Sequence, residues 1–487
     1  MARIPYGSLL SRLAAAEPDT IALACEDESV TRGDLERRAN RMARAFAARG
    51  VRQGSVVTIA LPNGIEFAVA CCAAWKCGAT PNPISERLPR PERAMVLEHA
   101  DPALVIGGEK ADALGRAFLP EGFVPDADLP DAPLPEMIAP HERAMATGGS
   151  AGRPKLILLK IPAEYDPDAP RSVLAPKGCV LVPGPLSHAA PFGSFTQGLL
   201  AGVRVVLMQR FDAARCLELI ERHRVDQVLF VPTMLHRIWR LPEAERGRHD
   251  VSSLRVVFTG GAPCPQWLMR AFIGWLGADV MNEVYGPSER IGGTMITGGE
   301  WLAHPGSVGR PVHGARVRIL HPETGRELPA GEVGEVYMMP SGGQGSTYRY
   351  VGAEARTTPD GWESVGDMGY LDAEGYLYLT DRRTDMILCG GRNVYPAQVE
   401  GALEEHPAVR SSAVIGLPDE DLGQRVHAIV QVAAPVAEEE LRTHLRSRVV
   451  HYTIPRTFEF VDYPLRDEAG KVRRWVLRRE RLGANAG

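Results

Sequence analysis

What chemistry the chain can do is concentrated in a few short stretches. "TGGSAGRPK" crowds Thr147, Gly148, Gly149, Ser150 and Gly152 ahead of Lys155. Successive backbone N–H groups in such a turn form an anion-binding concavity, and hydroxyls and a nearby cation reinforce it. "VYGPSER" sets Tyr285, Gly286, Ser288 and Glu289 around one turn. "GWESVGDMGYLD" offers Asp367 in a glycine-framed turn, and "YLTDRRTDMILCGGRNVYPAQVE" supplies Arg382 with Gly390 and Gly391. "EAGKVRR" carries Lys471 on a glycine turn near the C-terminus. Only six of the 55 basic residues are lysines: Lys76, Lys110, Lys155, Lys160, Lys177 and Lys471. A compact ammonium and a guanidinium fork are not interchangeable. A lysine kept inside a motif is therefore informative here.

Three readings compete for the glycine-rich stretch. A nucleotide P-loop needs G-x-x-x-x-G-K-[ST], but Gly152 is followed by Arg153 and Pro154, so that reading fails. "GGSAG" matches G-x-S-x-G, the turn of a serine hydrolase, which requires a strand before Ser150 and a helix directly after it. Here Pro154 and the strand-like "LILL" come instead. The third reading is a different phosphate loop, against which stands an ordinary flexible Gly/Ser turn. Other segments must decide.

These residues need elements to hold them. "SVVTIAL" and "DPALVIGG" read as buried strands, and "IEFAVACCAAWKCGA" between them as a buried helix. "SVTRGDLERRANRMARAFAARG" is amphipathic and stops at Gly50. This is βαβ rhythm, hence parallel sheet with helices on its faces. "FLPEGFVPDADLPDAPLPEMIAP" is a proline-rich connector expected to be extended and exposed. "VLAPKGCVLVPGPLSH", "GVRVVLM", "VDQVLFVPTML" and "LRVVFTGGAPCP" resume the strand pattern. From about Val308, "VGRPVHGARVRIL" and "GEVGEVYMM" alternate at period two, which suggests antiparallel strands. After "DRRTD" the texture becomes a smaller α+β unit. The expected division is 1–383 and 384–487. The fold class is α/β: a large N-terminal domain of α/β subdomains with a β-rich subdomain, then a small α+β C-terminal domain.

The chain has 487 residues, 45% of them hydrophobic, and a formal net charge of −5. Length implies two or three domains, and the charge recommends neither nucleic acid nor an anionic membrane as partner. "FAVACCAAW" is too short to span a bilayer, and the N-terminus shows no cleavable apolar region. A cytoplasmic protein without a membrane span is expected. None of the eight cysteines forms a C-x-x-C pair, which favours buried free thiols.

In this order and at these separations, the motifs resemble the adenylate-forming superfamily: acyl- and aryl-CoA synthetases, peptide-synthetase adenylation domains and firefly-type luciferases. The resemblance spans nearly the whole chain, from "LERRANRMARAFAARGV" to "GKVRR". It implies ATP, Mg²⁺ and coenzyme A, and a two-step reaction. A carboxylate attacks the α-phosphate of ATP to give acyl-AMP and pyrophosphate, and a thiol then displaces AMP. By the resemblance, residues 147–155 bind the β- and γ-phosphates, Glu289 holds Mg²⁺, Ser288 donates to the α-phosphate and Tyr285 stacks on adenine. The turn of Gly260, Gly261, Ala262 and Pro263 meets adenine closely. Asp367 accepts from both ribose hydroxyls, with Arg382 nearby. Lys471 bridges the attacking carboxylate and the α-phosphate, where transition-state charge concentrates. The C-terminal domain then swings about a hinge at Thr384, and Gly390 and Gly391 line the pantetheine tunnel. His188 in "PLSHAAPF" matches a family histidine beside the acyl pocket and thiol entrance. Three departures stand out: Ala151 replaces a hydroxyl, Leu156 a glycine, and Thr384 the usual hinge Asp or Lys.

Pocket candidates are His188, Ala189, Ala190, Gly193, Ser194, Gly198, Gly292, Gly293 and Thr294, a small and mostly uncharged set. Peptide-synthetase domains commonly place Asp after the aromatic of this segment. Here Gly193 follows Phe192, against an α-amino acid substrate. The expected substrate is a bulky apolar carboxylic acid, polycyclic acids included, and "ATGG…GRPKLI" also resembles bile-acid-type CoA ligases. Alternatives are transfer to an amine or carrier protein, a serine hydrolase at Ser150, and a non-catalytic nucleotide binder. A homodimer is compatible with the resemblance.

Overall fold

A computed structural model describes residues 2–148, 154–168, 178–467 and 470–483. Parallel sheet dominates its N-terminal part, as the βαβ rhythm predicts. The larger sheet runs in the order Arg310–Pro311, Thr294–Thr297, Met281–Tyr285, Val256–Gly260, Gln227–Phe230, Cys179–Val182, Arg204–Leu207, Ile21–Cys25 and Glu28–Thr31. Its centre is parallel and its edges are antiparallel. A second sheet is parallel throughout: Thr80–Pro83, Val56–Ile59, Leu104–Ile106 and Ala117–Leu119. Helix Ile65–Lys76 has no polar face because nearly all of it is enclosed. Helix Arg32–Ala48 starts where Thr31 accepts from Asp34 N at 3.1 Å, and ends near Gly50, whose φ of +92° suits glycine. All eight cysteines are free, and only Cys264 is not fully buried.

The proline-rich run is largely exposed and free of helix and strand beyond Leu119, as expected, and it is also tied to helix Arg32–Ala48. Arg41 Nε donates to Leu129 O at 3.2 Å and Arg41 Nη2 pairs with Asp131 at 3.0 Å, while Asn40 Nδ2 donates to Asp131 O at 2.7 Å. Polyproline backbone has carbonyls to spare, and the helix's polar side chains use them.

Strands Ala144–Gly148 and Pro154–Leu159 pair antiparallel with Thr147 opposite Lys155, and Tyr348–Val351 adds to the outer edge. A strand, not a helix, therefore succeeds the glycine-rich loop. The strand–serine–helix order of a hydrolase elbow is absent, which overturns that alternative. Gly149, Ser150, Ala151 and Gly152 lie outside the described residues.

The period-two segments form an antiparallel sheet containing Arg316–Leu320, Gly334–Met339, Asp367–Leu371 and Leu377–Arg382. The chain leaves this sheet at Arg382 and turns at Thr384, where Asp385 N donates to Arg382 O at 3.0 Å. Beyond it, helix Pro396–Glu404 and helix Glu438–Arg446 pack on strands Val409–Asp419, Gly423–Val432 and Thr457–Val461 around a separate apolar core. Two larger apolar cores underlie the N-terminal sheets.

Candidate active site

Three central strands of the large sheet end together, and their exits form the floor of a cleft. Gln227–Phe230 leads to Val231, Val256–Gly260 to Gly261, and Met281–Tyr285 to Gly286, and all three exit residues line the cleft. Ligands of open α/β sheets bind at such carboxyl ends. The cleft measures about 2630 Å³ and is walled on its far side by the C-terminal α+β unit. Gly260 sits one layer deeper. A Cβ there would meet Val284 O at 2.4 Å, so glycine is required for adjacent strands to approach. Gly261 takes φ +81°, and Ala262 and Pro263 continue the turn along the cleft wall.

On one wall, Lys155 Nζ lies 3.1 Å from Glu289 Oε1 and 2.6 Å from Tyr350 Oη. Tyr350 Oη also donates to Glu289 Oε1. Burial raises the Tyr350 phenol, and the Glu289 carboxylate raises it further. The Thr147 hydroxyl is buried, lines the cleft beside Lys155, and has no partner among the described residues. An unsatisfied hydroxyl next to an ammonium suits a phosphate oxygen. Ser288 lines the same wall.

Opposite, Asp367 begins one strand of a hairpin whose other strand ends at Arg382. Arg382 Nε lies 3.3 Å from Asp367 Oδ1, and Tyr285 Oη donates to Asp367 Oδ2 at 2.6 Å. Burial and then Asp367 push the Tyr285 phenol well up, so it stays a donor. Tyr285 is thus both a ring on the cleft wall and a brace for the carboxylate.

Lys471 enters the cleft from the C-terminal unit. Its backbone is held by Asp467, with Lys471 N donating to Asp467 Oδ1 at 2.9 Å and Asp467 N to Lys471 O at 3.0 Å. The side chain is open to the cleft. Surrounding protein and then Arg382 lower its pKa, while Asp467, Glu289 and Asp367 act the other way. The neighbouring Gly470 has φ +76°, and a Cβ there would stand 2.6 Å from Thr233 Oγ1 of the N-terminal part. Two arginines add contacts between the parts. Arg240 donates to the carbonyls of Pro407 at 2.8 Å and of His406 and Val409 at 3.1 Å, and Arg473 pairs with Glu92 at 3.0 Å.

His188 stands at the N-cap of helix Ala189–Leu200 and lines the cleft with Ala189, Ala190 and Gly193. Its pKa falls to about 4, through burial first and the Lys471 charge second. The other pocket candidates need correction. A Cβ at Gly198 would meet Val205 Cγ2 at 2.8 Å, so that glycine lets the helix sit on the sheet. Thr294 is 1% exposed and donates to Val308 O at 2.5 Å. Gly292 packs under Met338, Gly293 faces Tyr285 O, and Ser194 also lies off the cleft lining. None of these five lines the cleft: Ser194 and Gly198 lie on other faces of helix Ala189–Leu200, and Gly292, Gly293 and Thr294 lie at or just before strand Thr294–Thr297. Nor is the pocket uncharged, since Arg143 lines it.

Gly390 and Gly391 form the two-residue turn of hairpin Ile387–Cys389 and Arg392–Val394, with φ of +56° and +75°. They stand apart from the cleft, whereas Thr384 lines it.

Several cleft residues carried no signal in the sequence. Tyr350 lies in an edge strand of ordinary composition. Arg143 and Arg290 were lost among many arginines. Glu283 is buried and its pKa is pushed up to about 8, chiefly by that burial, so a neutral acid sits beside the Gly261 turn. Among the described residues, no group of three or more metal-ligating side chains occurs and no helix is long and apolar enough to cross a membrane.

Residues 10–345 match the AMP-binding enzyme family, and residues 398–471 match the AMP-binding enzyme C-terminal domain. The chain is 32% identical to a feruloyl-CoA synthase of an Amycolatopsis species, over 97% of this chain and 98% of that one. It is 31% identical to a fatty acid–[acyl-carrier-protein] ligase of Streptomyces coeruleorubidus, over 96% and 95%. Among solved structures it resembles the o-succinylbenzoate CoA synthetase of Bacillus subtilis in complex with its acyl-adenylate intermediate, at TM-score 0.83 and 27% identity over 98% and 99%. The same synthetase is known in complex with ATP and magnesium ion.

Proposed function

The chain belongs to the AMP-binding enzyme family, and from that membership and the cleft we propose that it is an AMP-forming acid–thiol ligase. It joins a bulky carboxylic acid to coenzyme A at the expense of ATP. The observation that carries this reading is the meeting of Lys471, from the C-terminal unit, with Thr147, Lys155 and Glu289 on one wall and Asp367 and Arg382 on another. We divide the chain at 383/384, with Thr384 as the hinge.

In the first half-reaction an oxygen of the acid attacks the α-phosphorus of ATP and pyrophosphate leaves. A free carboxylate is a poor electrophile because oxide is not expelled, and AMP supplies the missing leaving group. Lys155 and the partnerless Thr147 hydroxyl bind the departing phosphates, and Asp367, which only accepts hydrogen bonds, orients the ribose. Lys471 neutralises charge that builds between carboxylate and phosphate, the kind of preorganised electrostatic contact that carries most of such catalysis. Glu289 fits a hard cation: one buried carboxylate suffices for Mg²⁺, which takes its remaining ligands from phosphates and water. Held there by Glu289, the metal would supply positive charge to offset that of the phosphates. To accept it, Glu289 must loosen its bond to Tyr350.

In the second half-reaction the thiol attacks the acyl carbon and AMP leaves. Gly390 and Gly391 lie away from the cleft in the present arrangement, so the C-terminal unit must turn before they can flank a pantetheine arm. His188 lines the cleft and is neutral near pH 7, so it can hydrogen-bond the incoming thiol. A need for ATP and coenzyme A supports a cytoplasmic location. A homodimer would leave each cleft complete within one chain.

The test is pyrophosphate release across a panel of carboxylic acids, with and without CoA, with the thioester identified by mass. Acid-dependent pyrophosphate and a CoA thioester are expected. Acyl-AMP that accumulates with CoA but is consumed by a phosphopantetheinylated carrier protein would move the acceptor to the carrier. Absence of pyrophosphate with every acid would remove the reading.

A further inference from the structure

The acyl end of the cleft holds a charge that the two half-reactions do not use. Arg143, immediately before strand Ala144–Gly148, lines the cleft and is 3% exposed. Its counterion is shared. Arg143 Nη1 donates to Glu142 Oε1 at 3.2 Å, while Arg290 holds both oxygens of the same carboxylate, at 3.0 and 3.2 Å. Two guanidinium groups thus face one carboxylate, and Arg143 Nε has no partner among the described residues. Burial and Arg290 lower the Arg143 pKa to about 10, which still leaves it charged near neutrality. A buried cation this poorly compensated is costly unless a further anion completes its surroundings.

Space is kept open in front of it. A Cβ at Gly193 would meet one heavy atom within 4 Å, Arg143 Nη1 at 3.7 Å. The Phe192 ring faces the guanidinium at 5.8 Å. The reacting carboxylate belongs elsewhere, beside His188 and Lys471. Gly193 lies five residues beyond His188, a rise of roughly 7.5 Å at 1.5 Å per residue, and both line the cleft. One acid molecule can therefore present its reacting carboxylate at His188 and its far end at Gly193.

We propose that Arg143 is a specificity-determining residue that binds a second carboxylate at the far end of the acid, so that the preferred substrates are dicarboxylic acids with an apolar body. This rests on the ligase reading. Guanidinium suits the task because its planar fork matches carboxylate geometry. It refines the expectation of a wholly apolar acid: the body stays apolar, and the distal end carries charge.

The experiment compares kcat/KM for pyrophosphate release on matched pairs, hexanoate with adipate and cinnamate with 4-carboxycinnamate. The diacid should be preferred by about tenfold or more in at least one pair, the order expected when a buried polar group is left unpaired. Arg143→Met should erase that preference while leaving the monoacid within about threefold and KM for ATP unchanged. Gly193→Val sets its side chain against Arg143 Nη1, in the space left for the distal carboxylate, and should lower kcat/KM on each diacid more than on its monoacid, which decides the matter if Arg143→Met does not fold. Wild-type preference for the monoacids, or equal loss on both members of each pair, overturns the assignment. Absence of pyrophosphate with all four acids instead overturns the ligase reading beneath it.

Discussion

The charge of Lys471, carried by the C-terminal unit, helps hold the His188 imidazole of the N-terminal part neutral, down to a pKa of about 4. The two side chains share one electrostatic environment although 283 positions separate them in sequence (471 − 188). Burial is the larger cause of that shift, and the Lys471 contribution exists only while the C-terminal unit sits as described.

Lys471→Ala is expected to slow acyl-AMP formation by roughly 10²–10³, the cost of losing one preorganised charge contact in a transition state. Thioester formation from added acyl-AMP should change far less. Separate assays of pyrophosphate release and of acyl-AMP consumption check both halves.

Tyr350 competes for the carboxylate assigned to Mg²⁺, since its hydroxyl and Lys155 Nζ both engage Glu289 Oε1. Tyr350→Phe should therefore lower the half-saturating Mg²⁺ concentration by a few fold, roughly one net hydrogen bond. Glu289→Gln should raise it and cut the rate by about 10². A magnesium titration of pyrophosphate release distinguishes the two directions.

Arg240 caps carbonyls at the end of helix Pro396–Glu404 from the opposite side of the cleft. Charge-assisted bonds of this type contribute about 1.5–3 kcal/mol each at most, and partial solvation reduces that. Arg240→Ala should free the C-terminal unit to leave its present position. A drop of about tenfold in acyl-AMP formation with little change in thioester formation is the expected split.

Stability should respond to pH with opposite signs at two buried groups. Glu283 rises from an ordinary 4.5 to about 8 in the folded protein, so the fold binds the extra proton and loses stability as pH climbs through that window. His236 falls from 6.5 to about 4, chiefly by burial, so stability is lost as pH drops below 6.5. Each contributes a slope of at most about 1.4 kcal/mol per pH unit. Chemical denaturation of Glu283→Gln between pH 6 and 8 should show the alkaline slope removed.

Much of this molecule is legible in its sequence because the signals are local. The βαβ rhythm marks the parallel sheets, and period-two alternation marks the antiparallel one. Thr147, Lys155, Glu289, Asp367, Arg382 and Lys471 sit in short motifs and do converge on one cleft. Arg143 and Tyr350 could not be read this way, because each matters only through a neighbour more than 45 positions away (Arg143 with Gly193, Tyr350 with Lys155). Thr294 and Gly198 look like pocket residues among the other small side chains, yet chain direction turns them into the core. Scarcity of lysine also has a bland outcome at one position: Lys76 is buried in an ion pair with Glu36 at 2.8 Å, far from the cleft wall.

The missing side chain at Gly470 sets how tightly the reaction chamber can shut. One added carbon there would act as a shim against Thr233, propping the door by a fraction of an ångström and letting solvent seep toward a mixed anhydride that hydrolyses readily. Thrift with ATP, not merely speed, therefore hangs on a hydrogen atom occupying that spot.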